Sequence, residues 1–316
     1  MGKCLSFLRI NKRKYEERLE TPPSRDCPVH LVSDEYIAAM KVFADNKWVV
    51  GQEKMISVFN EFLNTTFWEC EERIRDMSVT EDVVYLGGKT IQCYSYDGKI
   101  NAKFVGHERP VNSLDVVDSM MVSGSSDWSI RLWDLLSTKE ISKNVIHWNV
   151  VTCVKWIDCQ TVVQTSEDLK IRVWDIRMSS LKEAAVFNSG DNFATCCDAK
   201  DYVVITGHRG FDGDGTGVKM WDLRKSSSQA GNYCVFTSKS HSMSVESVKF
   251  LDSCYASCGK DGKIVVYKMS GEVMDTWSHP DSAGLNHMEV YNNGLLVSSI
   301  QPLILYFSLN PLTKQF

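Results

Sequence analysis

The 316-residue chain has no uninterrupted apolar run near the roughly 20 residues that span a bilayer as a helix. Its N-terminus carries charges with no apolar stretch behind them, so no secretory signal is read there. With only 7 prolines and 19 glycines, collagen-like and low-complexity character is excluded. Lys+Arg number 35 against 40 Asp+Glu, a net charge of -5. The surplus of cations that grips phosphate is missing, and no nucleic-acid partner is expected. The 11 cysteines include no CxxC pair and no framework spacing, so they read as reduced, cytosolic thiols. There is no Gly-x-Ser-x-Gly elbow, no phosphate-cradling glycine loop, no metal signature and no unique acid–base pair. The expectation is no catalytic activity, no cofactor and no metal. After about residue 35 no stretch has a helical period.

What the chain does have is a repeat. Ser129–Trp133–Asp134, Lys170–Trp174–Asp175 and Gly217–Trp221–Asp222 are short alternating strands ending in Trp-Asp. Weaker copies end at Phe59, Tyr94, Tyr267 and Tyr306. Successive aromatic positions lie 35 to 47 residues apart, about one four-stranded unit each. Between them lie apolar runs such as Val111–Val117, Met120–Asp127, Val150–Trp156 and Thr161–Asp168. Gly, Asp and Ser separate these runs, as in antiparallel strands joined by tight turns. With 43% apolar residues the chain can bury a core across all of them.

Gly106-His107, followed 26 residues later by Trp133-Asp134, resembles the WD40 repeat family. His147 stands 27 residues before Trp174, and His241 stands 26 before Tyr267. The resemblance covers residues 36–309 and implies an all-β, single seven-bladed propeller. Two segments are expected: residues 1–14 for N-terminal acylation and residues 15–316 for the propeller. The resemblance also implies a hydrogen-bonded chain in each full unit, running from a His before the unit through a hydroxyl and an Asp to the aromatic. Unit three supplies His107, Ser123 or Ser125, Asp127 and Trp133. Unit four supplies His147, Thr165 or Ser166, Asp168 and Trp174. Unit six supplies His241, Ser257, Asp261 and Tyr267. A His–Ser–Asp set suggests a nucleophilic triad, but here it recurs with an aromatic fourth member and reads as fold-holding.

Other positions bear on partners. In the propeller Trp128 and Trp148 fall on one rim near the channel mouth, where an aromatic can anchor a protein partner. Arg109, Asn149, Glu167 and Lys260 share that rim and set its charge pattern. Unit five has an enlarged turn, Gly207–Gly217, whose Asp212, Asp214, Thr216 and Gly217 match the start of a calcium loop. Its twelfth position is Leu223, where Glu is required, so it reads as a hairpin loop. The stretch from Val162 to Arg177 resembles the box by which WD40 substrate receptors dock on a cullin-RING ligase adaptor. Trp221–Arg224 is a partial second copy, which makes Arg177 and Arg224 the alternative docking residues.

The chain opens Met1-Gly2-Lys3-Cys4-Leu5-Ser6, the pattern for N-myristoylation of Gly2. Cys4 is placed for palmitoylation, and Lys3, Arg9, Lys12, Arg13 and Lys14 form a basic cluster. One acyl chain binds membrane marginally, and a second chain or a basic patch makes the anchor stable. A cytoplasmic, membrane-associated, monomeric scaffold is therefore expected. Stretches 149–175 and 210–224 resemble cilium-associated members of the family, which implies a role in ciliary assembly or transport. Because the last unit lacks one strand, residues 15–20 are expected to supply it and close the ring.

Overall fold

The computed structural model describes residues 29–31 and 35–309, apart from 45–46, 61–62, 147–148, 178–180, 211, 213, 225–233, 280, 293 and 302. These residues form seven four-stranded antiparallel sheets and no helix. Blade one holds Ile37–Ala44, Lys47–Gln52, Met55–Asn60 and Leu63–Glu69. Blade three holds Val111–Val117, Met120–Ser125, Ser129–Asp134 and Lys139–Val145. The others follow the same order, so the chain forms a seven-bladed β-propeller.

Burial explains the strand composition. Each sheet packs on both faces against a neighbouring blade, so its middle strands are apolar on both sides. Thr161–Ser166 and Lys170–Asp175 are buried along nearly their whole length, while the outer strand Lys182–Asn188 is mostly exposed. Seven apolar clusters result, one for each blade interface. Each large aliphatic side chain buried there contributes about 1.5–3 kcal/mol. Gly124 is required by this packing. A Cβ there would lie 2.2 Å from Val151 Cγ1 of the next blade.

Ring closure uses the N-terminal part of the chain, but not at residues 15–20. The fourth strand of blade seven is Val29–Leu31, pairing antiparallel with Leu303–Ser308. Residues 15–20 and the acylation segment 1–14 lie outside the described residues. A second correction concerns the last aromatic. Phe307 pairs with Leu295 as Trp133 pairs with Met121, so Phe307 holds the repeat position expected at Tyr306. Two adjacent aromatics hide this slip in the sequence, and a one-residue shift reverses the faces of a strand. Phe307 is accordingly buried and Tyr306 half-buried.

The first strands line the central channel. One equivalent position in each contributes, in blade order, Lys41, Ser78, Asp115, Lys155, Asp198, Lys249 and Glu289. Lys41 and Lys249 lie 2.8 and 3.0 Å from Glu289, and Lys155 lies 2.8 Å from Asp115. Burial pushes the Glu289 carboxyl up, but the Lys249 and Lys41 ammoniums overcome this and bring it down to about 2.

Candidate protein-binding face

Two faces are distinguished by their connections. The upper face carries the links between blades and the turns between second and third strands. The lower face carries the remaining turns.

A chain of hydrogen bonds in blade three rigidifies the upper face. Trp133 Nε1 donates to Ser123 Oγ at 2.8 Å, and Ser123 Oγ lies 2.7 Å from His107 Nε2. His107 Nδ1 lies 2.9 Å from Asp127, which also accepts the backbone N–H groups of Glu108 and Ser129 and the Ser129 hydroxyl. A neutral imidazole protonated on Nδ1 satisfies every link. Burial pushes the His107 imidazole below its usual value against the pull of Asp127. Burial also pushes the Asp127 carboxyl up, but hydrogen bonds from His107 and Ser129 outweigh it, so it lies far below the carboxylate range. Of the two hydroxyls that the repeat pattern offers, Ser123 is the one used. Ser125 instead donates to the Arg109 and Pro110 carbonyls. Ser123 is wholly buried beneath an indole N–H, so the set is structural and presents no nucleophile.

Blade six repeats the arrangement. His241 Nδ1 lies 3.0 Å from Asp261 and its Nε2 lies 2.7 Å from Ser257, which is 3.2 Å from the Tyr267 hydroxyl. Blade four departs from it. Trp174 Nε1 donates to Gln164 Oε1 at 2.7 Å, not to Thr165 or Ser166. Gln164 stands ten residues before its Trp, as Ser123 does, and that spacing is the signal that identifies it. The Asp168 carboxylate takes the Arg172 guanidinium and the Lys170 N–H. His147 lies outside the described residues.

Blade five contains a network not anticipated from the repeat. Trp221 Nε1 donates to Thr206 Oγ1 at 2.9 Å, and Thr206 lies 2.9 Å from Nε2 of His208, two residues along the same strand. His208 Nδ1 donates to the Asn192 carbonyl at 3.0 Å. The signal available was a Thr-x-His in the second strand of the one Trp-Asp unit with no preceding His. Thr216 is buried and donates to the His241 carbonyl at 2.7 Å, which removes it from any calcium loop. Among those described, no group of three or more His, Cys, Asp or Glu side chains could hold a metal.

Arg109, Trp128, Asn149, Glu167 and Lys260 all lie on upper-face turns and links. The Arg109 guanidinium stacks 5.3 Å from the Trp128 ring centre. Trp128 is half-buried, with φ 70°, and Arg109 and Glu167 are exposed. Lys260 is 3.3 Å from Glu246 at the channel mouth. Trp148 lies outside the described residues. Arg177 and Arg224 lie apart from these, on the lower face. Each follows the Trp-Asp of its blade and pairs with that Asp: Arg177 Nε lies 2.8 Å from Asp175, and Arg224 Nε lies 2.9 Å from Asp222.

Comparison with known proteins agrees with this geometry. Residues 98–134 match the profile of "WD domain, G-beta repeat", which covers the outer strand of blade two and the first three strands of blade three. The human Kinesin-like protein KIF21B is 27% identical over 137 residues, covering 38% of this chain and 8% of that protein. The Kinesin-like protein klp-12 of Caenorhabditis elegans is 31% identical over 141 residues, covering 38% and 9%. The Ribosome biogenesis protein WDR12 homolog of Drosophila erecta is 24% identical over 221 residues, covering 57% and 50%. The chain thus spans half or less of these relatives' own length. The crystal structure of the WD40 beta propeller domain of Doa1 superposes with TM-score 0.76 at 18% identity, covering 90% of this chain and 97% of that one.

Proposed function

We propose that this WD40 propeller is a non-enzymatic scaffold that binds a protein partner through the upper rim around Trp128 and Arg109. The observation that carries this is the stacked pair itself. It is a rigid aromatic with an exposed guanidinium, set on turns that the blade-three network locks. The same proposal places the protein at a membrane through acylated Gly2 and Cys4 and the basic cluster, in ciliary assembly or transport. The sequence pattern of residues 1–14 supports the anchor. The resemblance of stretches 149–175 and 210–224 supports the ciliary role, and kinesin-like proteins are among the relatives. Leu31 pairs with Leu303 near the upper end of its strand, and Val29 lies below it. The described chain therefore begins at Val29 and runs toward the upper face in the outer strand of blade seven.

A second reading, a substrate receptor of a cullin-RING ligase, is favoured by Arg177 and Arg224. Their side chains are 67% and 61% exposed on the lower face.

The test captures partners with the full chain, then repeats the capture with Trp128→Ala and with Arg177→Ala/Arg224→Ala. Partner loss with Trp128→Ala supports the rim. Loss of a cullin adaptor only with the arginine pair supports the receptor. Full retention with Trp128→Ala removes the rim from the proposal. Gly2→Ala, read by alkyne-myristate labelling and fractionation, should move the protein off membranes. An unlabelled wild type would end the anchor.

A further inference from the structure

We infer that the channel mouth where blades seven, one, two and three meet is a second binding site, for a carboxylate-bearing segment of a partner polypeptide. A cavity of about 410 Å³ opens there, lined by Tyr36, Glu53, Arg73, Arg75, Asn112 and His287. Its size falls within the range of roughly 300–1,000 Å³ typical of sites that enclose a ligand group. It adjoins the blade-three turn that carries Trp128, since Asn112 accepts the Ser126 hydroxyl, but it is lined by other side chains and so adds a partner chemistry to the scaffold reading.

The charges in this cavity do not cancel. Arg73 lies 3.4 Å from Glu53. Arg75 Nη1 donates to the Asn112 amide oxygen at 3.0 Å, a neutral acceptor. Asn112 is itself pinned: its Oδ1 accepts the Ser126 hydroxyl at 3.1 Å and its Nδ2 donates to the Val151 carbonyl at 3.0 Å. The Arg75 backbone N–H is tied to the Gly87 carbonyl at 2.8 Å. Arg75 is therefore a held cation with one of its five N–H donors used by Asn112, and its planar fork matches a carboxylate. Burial brings the His287 imidazole down to about 4, helped by the ammonium of Lys41, so it is neutral near pH 7 and adds a polar wall without charge. The surplus is one positive charge. That suits a single carboxylate better than a phosphate dianion, which Glu53 at the edge would repel.

The probe is a random hexapeptide phage library, selected on the full-length wild type and on Arg75→Gln and Arg75→Glu. Wild-type selection should enrich Asp or Glu at one position. The enriched peptide should bind Arg75→Gln about tenfold or more weakly, the loss expected when one charge-assisted fork is removed. Arg75→Glu should select Lys or Arg instead. The acidic peptide should bind Trp128→Ala unchanged, which separates this site from the rim. Melting temperatures of both Arg75 variants should equal that of the wild type, since the residue is exposed. Absence of acidic enrichment, an empty selection, equal binding to Arg75→Gln, or tighter binding of the phosphoserine version of the peptide would each overturn the inference.

Discussion

Blades three and five solve one problem with different parts. In both, an indole N–H buried between blades needs an acceptor, and in both a hydroxyl of the second strand supplies it and passes its own hydrogen to an imidazole. Blade three takes the imidazole from the link before the blade and ends the chain on the Asp127 carboxylate. Blade five takes it from the second strand and ends on the Asn192 carbonyl. Blade four drops the hydroxyl and uses an amide oxygen. What persists is an acceptor beneath the aromatic tip, because an unpaired buried donor costs about 1–3 kcal/mol. The histidine and the carboxylate stiffen that acceptor and are replaceable.

The difference should be largest when the carboxylate is removed. Asp127→Ala strands the Glu108 and Ser129 amides and leaves His107 Nδ1 only the Ser129 hydroxyl oxygen at 3.1 Å, and should cost roughly 2–3 kcal/mol in thermal or denaturant melts. An unchanged transition would mean that blade three does not depend on its charged end.

Acid should separate the two blades next. Burial brings the His208 imidazole down to about 4, with only a carbonyl to hold it and the Lys219 ammonium opposing protonation. An unfolded histidine titrates near 6.5. As pH falls from about 6.5 toward 4, the unfolded chain takes up a proton that the folded chain refuses, so stability is lost over that window. The loss is about 1.4 kcal/mol for each pH unit crossed below the unfolded value. Urea titrations at stepped pH should show this slope, and His208→Gln should reduce it. An identical slope in the variant would place the acid sensitivity elsewhere.

Asp168→Ala should have the smallest effect, about 1 kcal/mol or less. Its main partner Arg172 retains Glu183 at 3.4 Å, and the Lys170 amide lies on an exposed turn. A loss as large as that of Asp127→Ala would show that blade four relies on its carboxylate as blade three does.

The fold was legible because the repeat shows in residue types and spacing at once. Trp133, Trp174 and Trp221 mark third strands, and Gly, Asp and Ser mark the turns. What was not legible were substitutions that keep the chemistry and change the residue. Gln164 accepts as a serine would, but its side chain hides it among buried strand residues. His208 serves from a position where the repeat pattern has no histidine. Phe307 was masked by Tyr306, since adjacent aromatics give no sign of which faces the core. Val29–Leu31 is only three residues long and carries no alternation from which to read a strand. Arg75 and Asn112 meet where the neighbouring blades two and three pack, but His287 of blade seven joins the same cavity only once the ring is closed.

The channel ring has a property that follows from arithmetic. Seven is odd, so a strict alternation of plus and minus around it must place two like charges side by side once. Omit Ser78 and the remaining six alternate without fault: Lys41, Asp115, Lys155, Asp198, Lys249, Glu289, and back to Lys41. Ser78 stands at the seam where parity fails. A cation there would face Lys41 and an anion would face Asp115, so neutrality at this one residue is what lets an odd circle carry an even code. The Lys41–Glu289 contact marks where the first blade meets the last.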